Sequence, residues 1–360
     1  MPRIISVGTT VPENIIDQEQ TMQFVRQLYT GKVENLPSLL QVFVNGEINK
    51  RHFAKTIDWY QEKHSFSEQN NAFIEAAVDL SVQAIQNCLH ANSLERNIAF
   101  SEIDAIFMIS TTGLSTPSLD AHIMNRLPFH RHTKRIPIWG LGCAGGAAGL
   151  SRAYEYCRAF PHAKVVVVAV ELCSLTFQLD DISKRNIVGT SLFADGAASV
   201  LVGGDEVHYT DITSRPLPNI IDTQSTLLEN SIDVMGWDVK DSGLHVIFSK
   251  SIPEIVGNWL EPEVLHLLDK NHLSKANIAH FIAHPGGRKV ITAYEEALNL
   301  PHEIMEHSLH ILKEYGNMSS PTVLFVLERF MNDVIRQGEH GIIAALGPGF
   351  SSELLLVRWE

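Results

Sequence analysis

The order in which secondary-structure patterns follow one another repeats in this chain, and this repetition constrains the fold more than any other feature. In the first half, residues 73–89 have apolar residues at helical spacing and lead to the short apolar run 103–110, which ends at a turn. In the second half, residues 251–268 have the same helical spacing and lead to the run 278–284, before a Pro-Gly-Gly turn. We infer that one structural unit is used twice.

Two further pairs of apolar runs extend the repeat. The first half contains AKVVVVAVELCS and AASVLVGG, and the second half contains GIIAALGPGFSSELLLVRW, which is two apolar runs separated by a Gly-Pro-Gly turn. Continuous apolar runs are typical of strands in a sheet that is covered on both faces. The sequence therefore predicts an α/β fold with buried strands.

The repeat also aligns two glycine turns. GCAGGAAGL at Gly142 falls opposite GNMSSPTVL at Gly316, with Cys143 facing Asn317. Only the glycine and the leucine are shared, so the similarity is one of pattern rather than of letters.

Composition bounds the class of protein. At 360 residues and 45% hydrophobic, the chain is long enough for a large core, and two lobes are expected. A formal charge of −13 argues against a nucleic-acid binder, which needs a basic surface. No run reaches the roughly 20 apolar residues that cross a bilayer, and no signal peptide is visible, so we predict a cytoplasmic protein without a membrane span. The four cysteines form no C-x-x-C pair and are expected to be free thiols.

Cys143 has two interpretations from its surroundings alone. A glycine turn before a helix of small residues would place the thiol at a helix N-terminus, where unpaired N–H groups favour a thiolate. The same glycines and alanines would also allow close helix packing, with cysteine as one more small apolar residue. Both interpretations remain open at this point.

Two other segments favour chemistry. FIAHPGGRKV places His284 at the end of an apolar run, just before a turn, and YGNMSSPT places Asn317 in a turn before a helical pattern. Each residue alone is as well explained by a buried histidine or a helix cap. Together with Cys143, they supply a nucleophile, a base and an amide donor.

Four motifs in order, GCAGG, AHPGG, YGNMSS and LGPGF, resemble the type III polyketide synthases, the chalcone-synthase-like branch of the thiolase superfamily. The resemblance runs from Ser6 to the C-terminus. Within that family, TTGLSTPS, TKRIPIWGLGCAGGA and ELCSLTFQ are most similar to bacterial alkylpyrone synthases, which extend fatty acyl-CoA starters.

The resemblance implies a five-layer αβαβα fold built from two pseudo-duplicated halves. We assign residues 1–205 to the half that carries the cysteine and 206–360 to the half that carries the histidine and asparagine. The resemblance also implies a homodimer, in which the loop around Thr116 would reach toward the cavity of the partner.

The resemblance implies a role for each of the three central residues. Cys143 would accept the acyl group, and His284 would form an ion pair that keeps it deprotonated. His284 and Asn317 would hydrogen-bond the thioester carbonyl of malonyl-CoA, where decarboxylation leaves an enolate. The expected substrates are CoA thioesters, and no metal or redox cofactor is required.

The resemblance also places the walls of the cavity. Phe193 matches a gatekeeping phenylalanine between the CoA tunnel and the cavity, and Ser319 matches the serine beside the catalytic asparagine. Cavity-wall positions fall at Thr111, Cys173 and Thr176, and the loop that shapes the cysteine pocket is Gly347, Pro348, Gly349 and Phe350. For Cys173, a purely structural thiol is an equal alternative, whereas Cys88 and Cys157 are expected in the core.

Two departures from the plant relatives matter. Where those relatives have a second gatekeeping phenylalanine in GLTF, this chain reads GLHV, with Val246 at that position, and we predict a cavity that admits a long alkyl chain. The segment expected to bind the CoA phosphates is thinly basic, with Lys50, Arg51 and Lys55 as weak candidates.

The histidines in HEIMEHSLH are expected on a solvated helix face rather than at a metal site.

Three alternative functions stay open. A β-ketoacyl-acyl-carrier-protein synthase III shares the Cys, His and Asn set, but condenses once and takes malonyl from a carrier protein. A non-catalytic dimeric binding protein on a thiolase scaffold belongs to another class. A cysteine peptidase is the weakest alternative, because peptide cleavage calls for an exposed groove.

Overall fold

Thirteen strands and eleven α-helices form the regular structure of the chain, described for residues 1–360 by a computed structural model. The strands are β1 (Arg3–Thr10), β2 (Asn14–Asp17), β3 (Lys50–Phe53), β4 (Ala105–Ile109), β5 (Lys134–Ile138), β6 (Lys164–Leu172), β7 (Asp195–Gly203), β8 (Pro218–Leu227), β9 (Met235–Lys240), β10 (Gly243–Phe248), β11 (Ile278–Ala283), β12 (His340–Gly347) and β13 (Ser351–Trp359). The helices are α1 (Gln18–Tyr29), α2 (Leu36–Leu39), α3 (Gln41–Asn45), α4 (Phe66–Leu89), α5 (Leu119–Met124), α6 (Gly145–Ala159), α7 (Lys184–Leu192), α8 (Ile252–Lys270), α9 (Arg288–Leu298), α10 (Glu306–Tyr315) and α11 (Thr322–Asn332).

The central sheet has the duplicated order that the sequence predicts. Its nine strands run β11-β12-β13-β8-β1-β7-β6-β4-β5, and the two halves meet where Arg3 of β1 pairs with Asn219 of β8. On each side of that pair the equivalent strands have equivalent partners: β4 with β6 and β11 with β12 are parallel, and β6 with β7 and β12 with β13 are antiparallel. Only the edge strand β5 has no counterpart. The division predicted after residue 205 falls in the connection between β7 and β8.

The helices form three layers around the two halves of the sheet. α4 packs on β1, β6 and β7 in the first half, while α8 and α9 pack together on the outer side of the second half. α6 and α11 contact strands of both halves and therefore lie between them. The predicted five-layer αβαβα arrangement is thus confirmed.

Strand β6 shows why its sequence is apolar without interruption. Successive side chains of a strand point to opposite faces. Val165, Val167 and Ala169 join the apolar cluster around α6 and α11, while the alternate residues Val166, Val168 and Val170 join the cluster beneath α4. Both faces are dry, so a polar residue has no favourable position along most of this strand.

The predicted helix at residue 73 begins earlier, at Phe66. Ser65 caps it: its Oγ accepts from the N–H of Glu68 at 3.2 Å, and its own N–H donates to the Glu68 carboxylate at 2.8 Å. Cys88 and Cys157 are fully buried within α4 and α6, and all four cysteines are free thiols, as predicted. None of the helices combines the length and apolarity that a bilayer crossing requires.

Candidate active site

The fold brings together the three turns that carry Cys143, His284 and Asn317. Cys143 lies in the 3₁₀ turn that opens α6, His284 directly follows β11, and Asn317 precedes α11. All three side chains are buried, with exposed fractions of 7%, 2% and 1%. The Asn317 side chain lies close enough to Cys143 to lower the pKa of its thiol, and it donates to the carbonyl of Gly286, at 3.1 Å, in the loop that His284 begins. Residues far apart in sequence therefore form one site.

The glycines beside Cys143 serve close packing and turn geometry at once. Gly142 has φ = 47°, and a Cβ there would lie 2.7 Å from Cδ of Pro348. A Cβ on Gly146 would lie 2.2 Å from the backbone oxygen of Ser320, in the turn that precedes α11. The packing interpretation of this segment and the catalytic one are therefore compatible.

The amide of Asn317 has a fixed orientation. Its Oδ1 accepts from the backbone N–H of Ser319 at 2.8 Å, so the Nδ2 group must be the donor toward Gly286. Ser319 holds a left-handed conformation with φ = 60°, which is uncommon for a residue with a side chain. The strained backbone conformation at Ser319 therefore helps to hold the amide donor of Asn317 in a set direction.

Burial controls the charges of Cys143 and His284. Loss of solvation raises the pKa of the Cys143 thiol to about 11, against the lowering effect of hydrogen bonds from Ser319 and Asn317. Burial lowers the pKa of His284 to about 3, and neither ring nitrogen has a hydrogen-bond partner. Burial therefore disfavours a charge on either group taken alone, and the thiolate–imidazolium pair expected from the resemblance stays a prediction. A dry site disfavours each separate charge.

Asn317 is joined directly to the residue expected to guard the cavity. The N–H of Asn317 donates to the carbonyl of Leu192 and the N–H of Ala194 donates to the carbonyl of Asn317, each at 2.9 Å, which forms a parallel bridge with Phe193. Backbone hydrogen bonds therefore connect Phe193, the gate residue of the first half, to Asn317, the amide donor of the second half.

The predicted wall residues divide between two places. Cys173, Thr176, Phe193 and Val246 line one cavity, whose apolar wall includes Phe177. The predicted wall residue Thr111 instead lies at the Cys143 turn, where its Oγ1 accepts from the N–H of Gly142 at 3.1 Å.

The LGPGF loop packs on the same turn. Pro348 lies against Gly142, and a Cβ on Gly347 would lie 2.6 Å from Cβ of Ala144. Gly349 and the fully buried Phe350 complete the loop, whose backbone N–H at Phe350 donates to Ser231.

Glu171 is a site residue to which the sequence assigned no role. Its buried carboxylate accepts from the N–H groups of Thr111 and Thr112, from the Thr112 hydroxyl and from the Ser320 hydroxyl, at 2.8–3.0 Å. Burial raises its pKa to about 7, against the opposing effect of those hydrogen bonds. It ties the Thr111 turn to the turn before α11. The signal for it was an acidic residue directly after the apolar run VVVVAV.

Two aromatic residues beside the gate were also missed. Trp237 of β9 and Phe248 of β10 contact Phe193, with ring centroids 6.1 and 6.5 Å away. Val246 reaches the same place, since a Cβ on Gly189 would lie 3.5 Å from both Phe193 and Val246. The gate therefore keeps aromatic neighbours even though valine occupies the position of the second phenylalanine.

Arg51 is wrong as a candidate for binding CoA phosphates. Its side chain is fully buried, and its Nη1 donates to the carbonyls of Thr190 and Phe193 at 2.5 and 2.8 Å. Burial lowers the pKa of Arg51 to about 9, and attraction to Asp195 partly offsets that effect. The guanidinium therefore holds the backbone before the gate rather than a ligand at the surface.

The other two candidates are not buried in this way. Lys50 lies 3.5 Å from the Glu314 carboxylate, and Lys55 is partly exposed without an ion pair. Their role in phosphate binding stays a prediction.

The histidines of HEIMEHSLH are not gathered at one place. His302 contacts Glu295 at 2.7 Å and His307 contacts Asp333 at 2.6 Å. No three potential metal ligands of the chain come together.

Comparison with known families covers nearly the whole chain. The family model described as the N-terminal domain of chalcone and stilbene synthases matches residues 2–206, and the model for the C-terminal domain matches residues 219–359. Among curated relatives, a Bacillus subtilis (strain 168) protein whose name places it with the chalcone synthases is 48% identical, over 100% of this chain and 99% of its own length.

More distant relatives have named products. The 1,3,6,8-tetrahydroxynaphthalene synthase of Streptomyces peucetius subsp. caesius is 33% identical over 99% of this chain and 93% of its own length. The crystal structure of the enzyme of that name from Streptomyces coelicolor A3(2), a bacterial type III polyketide synthase, superposes with a TM-score of 0.92 at 29% identity, covering 99% of each chain.

Proposed function

This chain belongs to the chalcone and stilbene synthase family, the type III polyketide synthases, and we propose that it makes alkylpyrones from a long-chain fatty acyl-CoA starter. In this proposal, malonyl-CoA supplies the extension units through repeated decarboxylative Claisen condensations, and ring closure releases the product. The observation that carries the proposal is the convergence of Cys143, His284 and Asn317 in one buried site. Apart from CoA thioesters, the reaction uses no cofactor.

Acyl transfer begins at Cys143. The sulfur attacks the thioester carbonyl of the starter, the bond to CoA breaks, and CoA leaves as its thiol. Because burial disfavours a charge on either group and both ring nitrogens of His284 are unpartnered, His284 is placed to accept the thiol proton as the sulfur attacks. In this proposal, charge develops during the reaction, when a substrate carbonyl is present to share it.

Chain extension uses the same two turns. Loss of carbon dioxide from malonyl-CoA leaves an enolate, whose oxygen is stabilised by N–H donors from Asn317 and His284. The enolate carbon then attacks the acyl group on Cys143, and the thiolate of Cys143 leaves. The fixed amide of Asn317 suits this step, because a donor already oriented need not reorganise as charge develops.

The starter preference rests on the gate. Val246 lies close to Phe193 on a mostly apolar cavity wall, so it leaves space that a phenylalanine ring would fill. The cavity itself is small, at about 40 Å³. An aliphatic chain suits such a site better than a rigid aromatic starter, because it can follow a narrow path.

Product mass analysis tests the proposal. The protein is incubated with malonyl-CoA and a series of acyl-CoA starters of increasing length, and we expect alkylpyrones from the long starters. Products that contain malonyl units alone would overturn the starter assignment.

A variant tests the gate. Val246→Phe should shift the preference to shorter starters, while Ile247→Phe, a neighbouring residue on the opposite face of β10, adds the same bulk elsewhere. Unchanged use of long acyl-CoA by Val246→Phe would contradict the role given to that position.

Two alternatives have separate tests. A carrier-protein-dependent synthase would not condense malonyl-CoA in the absence of carrier protein. A non-catalytic binding protein would release no labelled carbon dioxide from malonyl-CoA. The family assignment and the intact set of three residues favour the polyketide reaction over both.

A homodimer is part of the proposal. Leu114, in the loop before Thr116, is 42% exposed, and Trp139, next to the edge strand β5, is 52% exposed. Large exposed apolar side chains near a sheet edge suit an interface between two copies. Light scattering in solution should give twice the mass of the chain, 40.1 kDa.

A further inference from the structure

Of the three cations suggested for CoA recognition, Arg51 is excluded because it is buried on backbone carbonyls, and Lys50 lies 3.5 Å from the Glu314 carboxylate. CoA carries a diphosphate and a 3′-phosphate, and a chain with a net charge of −13 repels such a ligand over most of its surface. Binding it therefore requires a local concentration of positive charge near the gate. With Arg51 excluded, residues outside the segment around Lys50 are candidates to supply that concentration.

Two helices begin at the same end of the second half. A short connection reverses the chain between α8 and β11, and another reverses it between β11 and α9. Both helices therefore run antiparallel to β11 and, since they pack on each other, their first residues lie at one end. That end is also where His284 leaves β11.

Three cations occupy this end. Arg288 and Lys289 are the first two residues of α9, and Lys250 is two residues before α8. Lys289 and Lys250 are exposed and have no ion pair or hydrogen bond through their side chains. Arg288 is partly exposed, with its Nε 3.3 Å from a Glu47 carboxylate oxygen and its Nη1 3.0 Å from the Thr292 hydroxyl and 3.9 Å from a Glu295 carboxylate oxygen.

Contacts place these cations beside the gate. Gly287, next to Arg288, is oriented so that a Cβ would lie 3.5 Å from Leu192, the residue before Phe193. Phe248, two residues before Lys250, contacts the Phe193 ring. The two cationic segments thus approach the gate from separate elements, and each lies within two residues of a contact with Leu192 or Phe193.

We infer that Lys250, Arg288 and Lys289 form the site that binds the phosphates of CoA, in place of the thinly basic segment around Lys50. This inference rests on the proposed function, since it concerns the CoA thioesters that the gate admits. A charged rim at the tunnel mouth would hold the nucleotide while the pantetheine arm passes Phe193 toward Cys143. Glu47 opposes the rim, because its carboxylate competes with phosphate for Arg288.

Binding of CoA itself tests the inference without requiring turnover. Calorimetry compares CoA with pantetheine, which lacks all the phosphates, on the wild-type chain and on Arg288→Gln/Lys289→Gln. We expect the variant to bind CoA at least about tenfold more weakly, since charge-assisted contacts are lost. Its affinity for pantetheine should not change, and Glu47→Gln should bind CoA more tightly than the wild type.

A matched control exists in α7. Lys184 and Arg185 are also the first two residues of a helix, are exposed and have no ion pair, but lie at the end of α7 away from Phe193. Lys184→Gln/Arg185→Gln changes the net charge equally and should bind CoA like the wild type. Lys250→Gln should weaken CoA binding, and Lys50→Gln and Lys55→Gln should not.

The outcomes separate the inference from the proposed function. If Arg288→Gln/Lys289→Gln binds CoA as tightly as the wild type does, the phosphate site is elsewhere. The same conclusion follows if its affinity for pantetheine falls by the same factor as its affinity for CoA. If Lys50→Gln or Lys55→Gln carries the loss, the family's own segment is used and the inference fails. Absence of carbon dioxide release from malonyl-CoA by the wild-type chain would instead overturn the polyketide function, while the CoA affinities would still decide where phosphate binds.

Discussion

The turn at Cys143 and the turn at Asn317 occupy equivalent places in the two halves, yet they are held by different means. Both follow a glycine with positive φ, 47° at Gly142 and 74° at Gly316, and both open a buried helix of the central layer. The Cys143 turn is held mainly by close packing of glycine and alanine, with one hydrogen bond from the N–H of Gly142 to Thr111. The Asn317 turn is held by hydrogen bonds, a strained serine and the side chain of Arg51.

This difference follows from what each turn presents. The thiol of Cys143 needs only to lie within reach of the substrate carbonyl with no side chain between them, because the sulfur can attack from any rotamer that reaches the carbonyl. An amide must have its donor oriented, so its oxygen has to be fixed by another group. The two halves therefore share the same backbone turn, and the residues around each turn differ because one turn places a nucleophile and the other orients a hydrogen-bond donor.

The largest expected effect comes from removing the sulfur. Cys143→Ala should lower condensation by at least about 10³-fold, since it removes the thiol that carries the acyl chain. The fold should persist, because alanine is smaller and equally apolar. The measurement is product formation from an acyl-CoA starter and malonyl-CoA. Condensation at a rate near that of the wild type would overturn the mechanism.

The next largest loss of activity is expected from substitutions of Asn317, in the equivalent turn of the second half. Asn317→Ala should reduce the rate by about 10²–10³-fold through loss of one oriented donor. Asn317→Asp should be at least as damaging, because a carboxylate is an acceptor when ionised and repels the enolate. Release of labelled carbon dioxide from malonyl-CoA reports the affected step directly. An Asp variant as active as the wild type would mean that the residue only caps a turn.

The sequence predicted most of this arrangement, and what it missed has a physical pattern. The duplicated order and the buried strands follow from periodicity, and the convergence of Cys143, His284 and Asn317 follows from the family resemblance that the four motifs carry. Glu171 and Arg51 were missed or misassigned because a charged side chain in a sequence is expected at the surface. Only tertiary contacts reveal that the carboxylate accepts several hydrogen bonds and that the guanidinium binds two carbonyls.

Arg51 offers a test of how the Asn317 turn is supported. A Cβ on Gly316 would lie 2.8 Å from the Arg51 side chain, so Arg51 and the Asn317 turn are in direct contact. Arg51→Met leaves the carbonyls of Thr190 and Phe193 without their donor and should cost about 1–3 kcal/mol of unfolding free energy. Arg51→Lys should recover part of the loss.

The turnover of these variants separates two roles for Arg51. If it positions Phe193 and Asn317, Arg51→Met should lower kcat at temperatures well below its melting point. A loss of stability without a change in kcat would reduce Arg51 to a structural residue.

Gly146 tests the support of the Cys143 turn. A Cβ there would lie 2.2 Å from the carbonyl oxygen of Ser320, so Gly146→Ala should force α6 and the turn before α11 apart, at a cost of about 1–3 kcal/mol. Gly257→Ala is the control, since nothing lies within 4 Å of a Cβ at this position in α8. That change should stabilise the helix by up to about 1 kcal/mol. Denaturant unfolding measures both, and equal effects would contradict the packing role.

The smallest effect is a pH dependence that differs between the halves. His284, with a pKa lowered by burial from 6.5 to about 3, is neutral when folded but protonated in the unfolded chain below pH 6.5. Its contribution to stability is therefore lost as the pH falls from 6.5 toward 3. Cys143, with a pKa raised by burial from 9.0 to about 11, gives the opposite sign, and its contribution is lost as the pH rises from 9 toward 11.

Paired variants isolate these two contributions. Glu171, whose pKa burial raises to about 7, acts against His284 between pH 4.5 and 7, so the curve of the wild type alone is ambiguous. Subtracting the unfolding free energies of His284→Leu from those of the wild type removes every other group. We expect this difference to fall only on the acid side, and the corresponding difference for Cys143→Ala to fall only on the alkaline side. The unfolding free energies of a variant and of the wild type could instead change with pH in parallel. The residue replaced in that variant would then be solvated in the folded chain, and the pH dependence would not differ between the two halves.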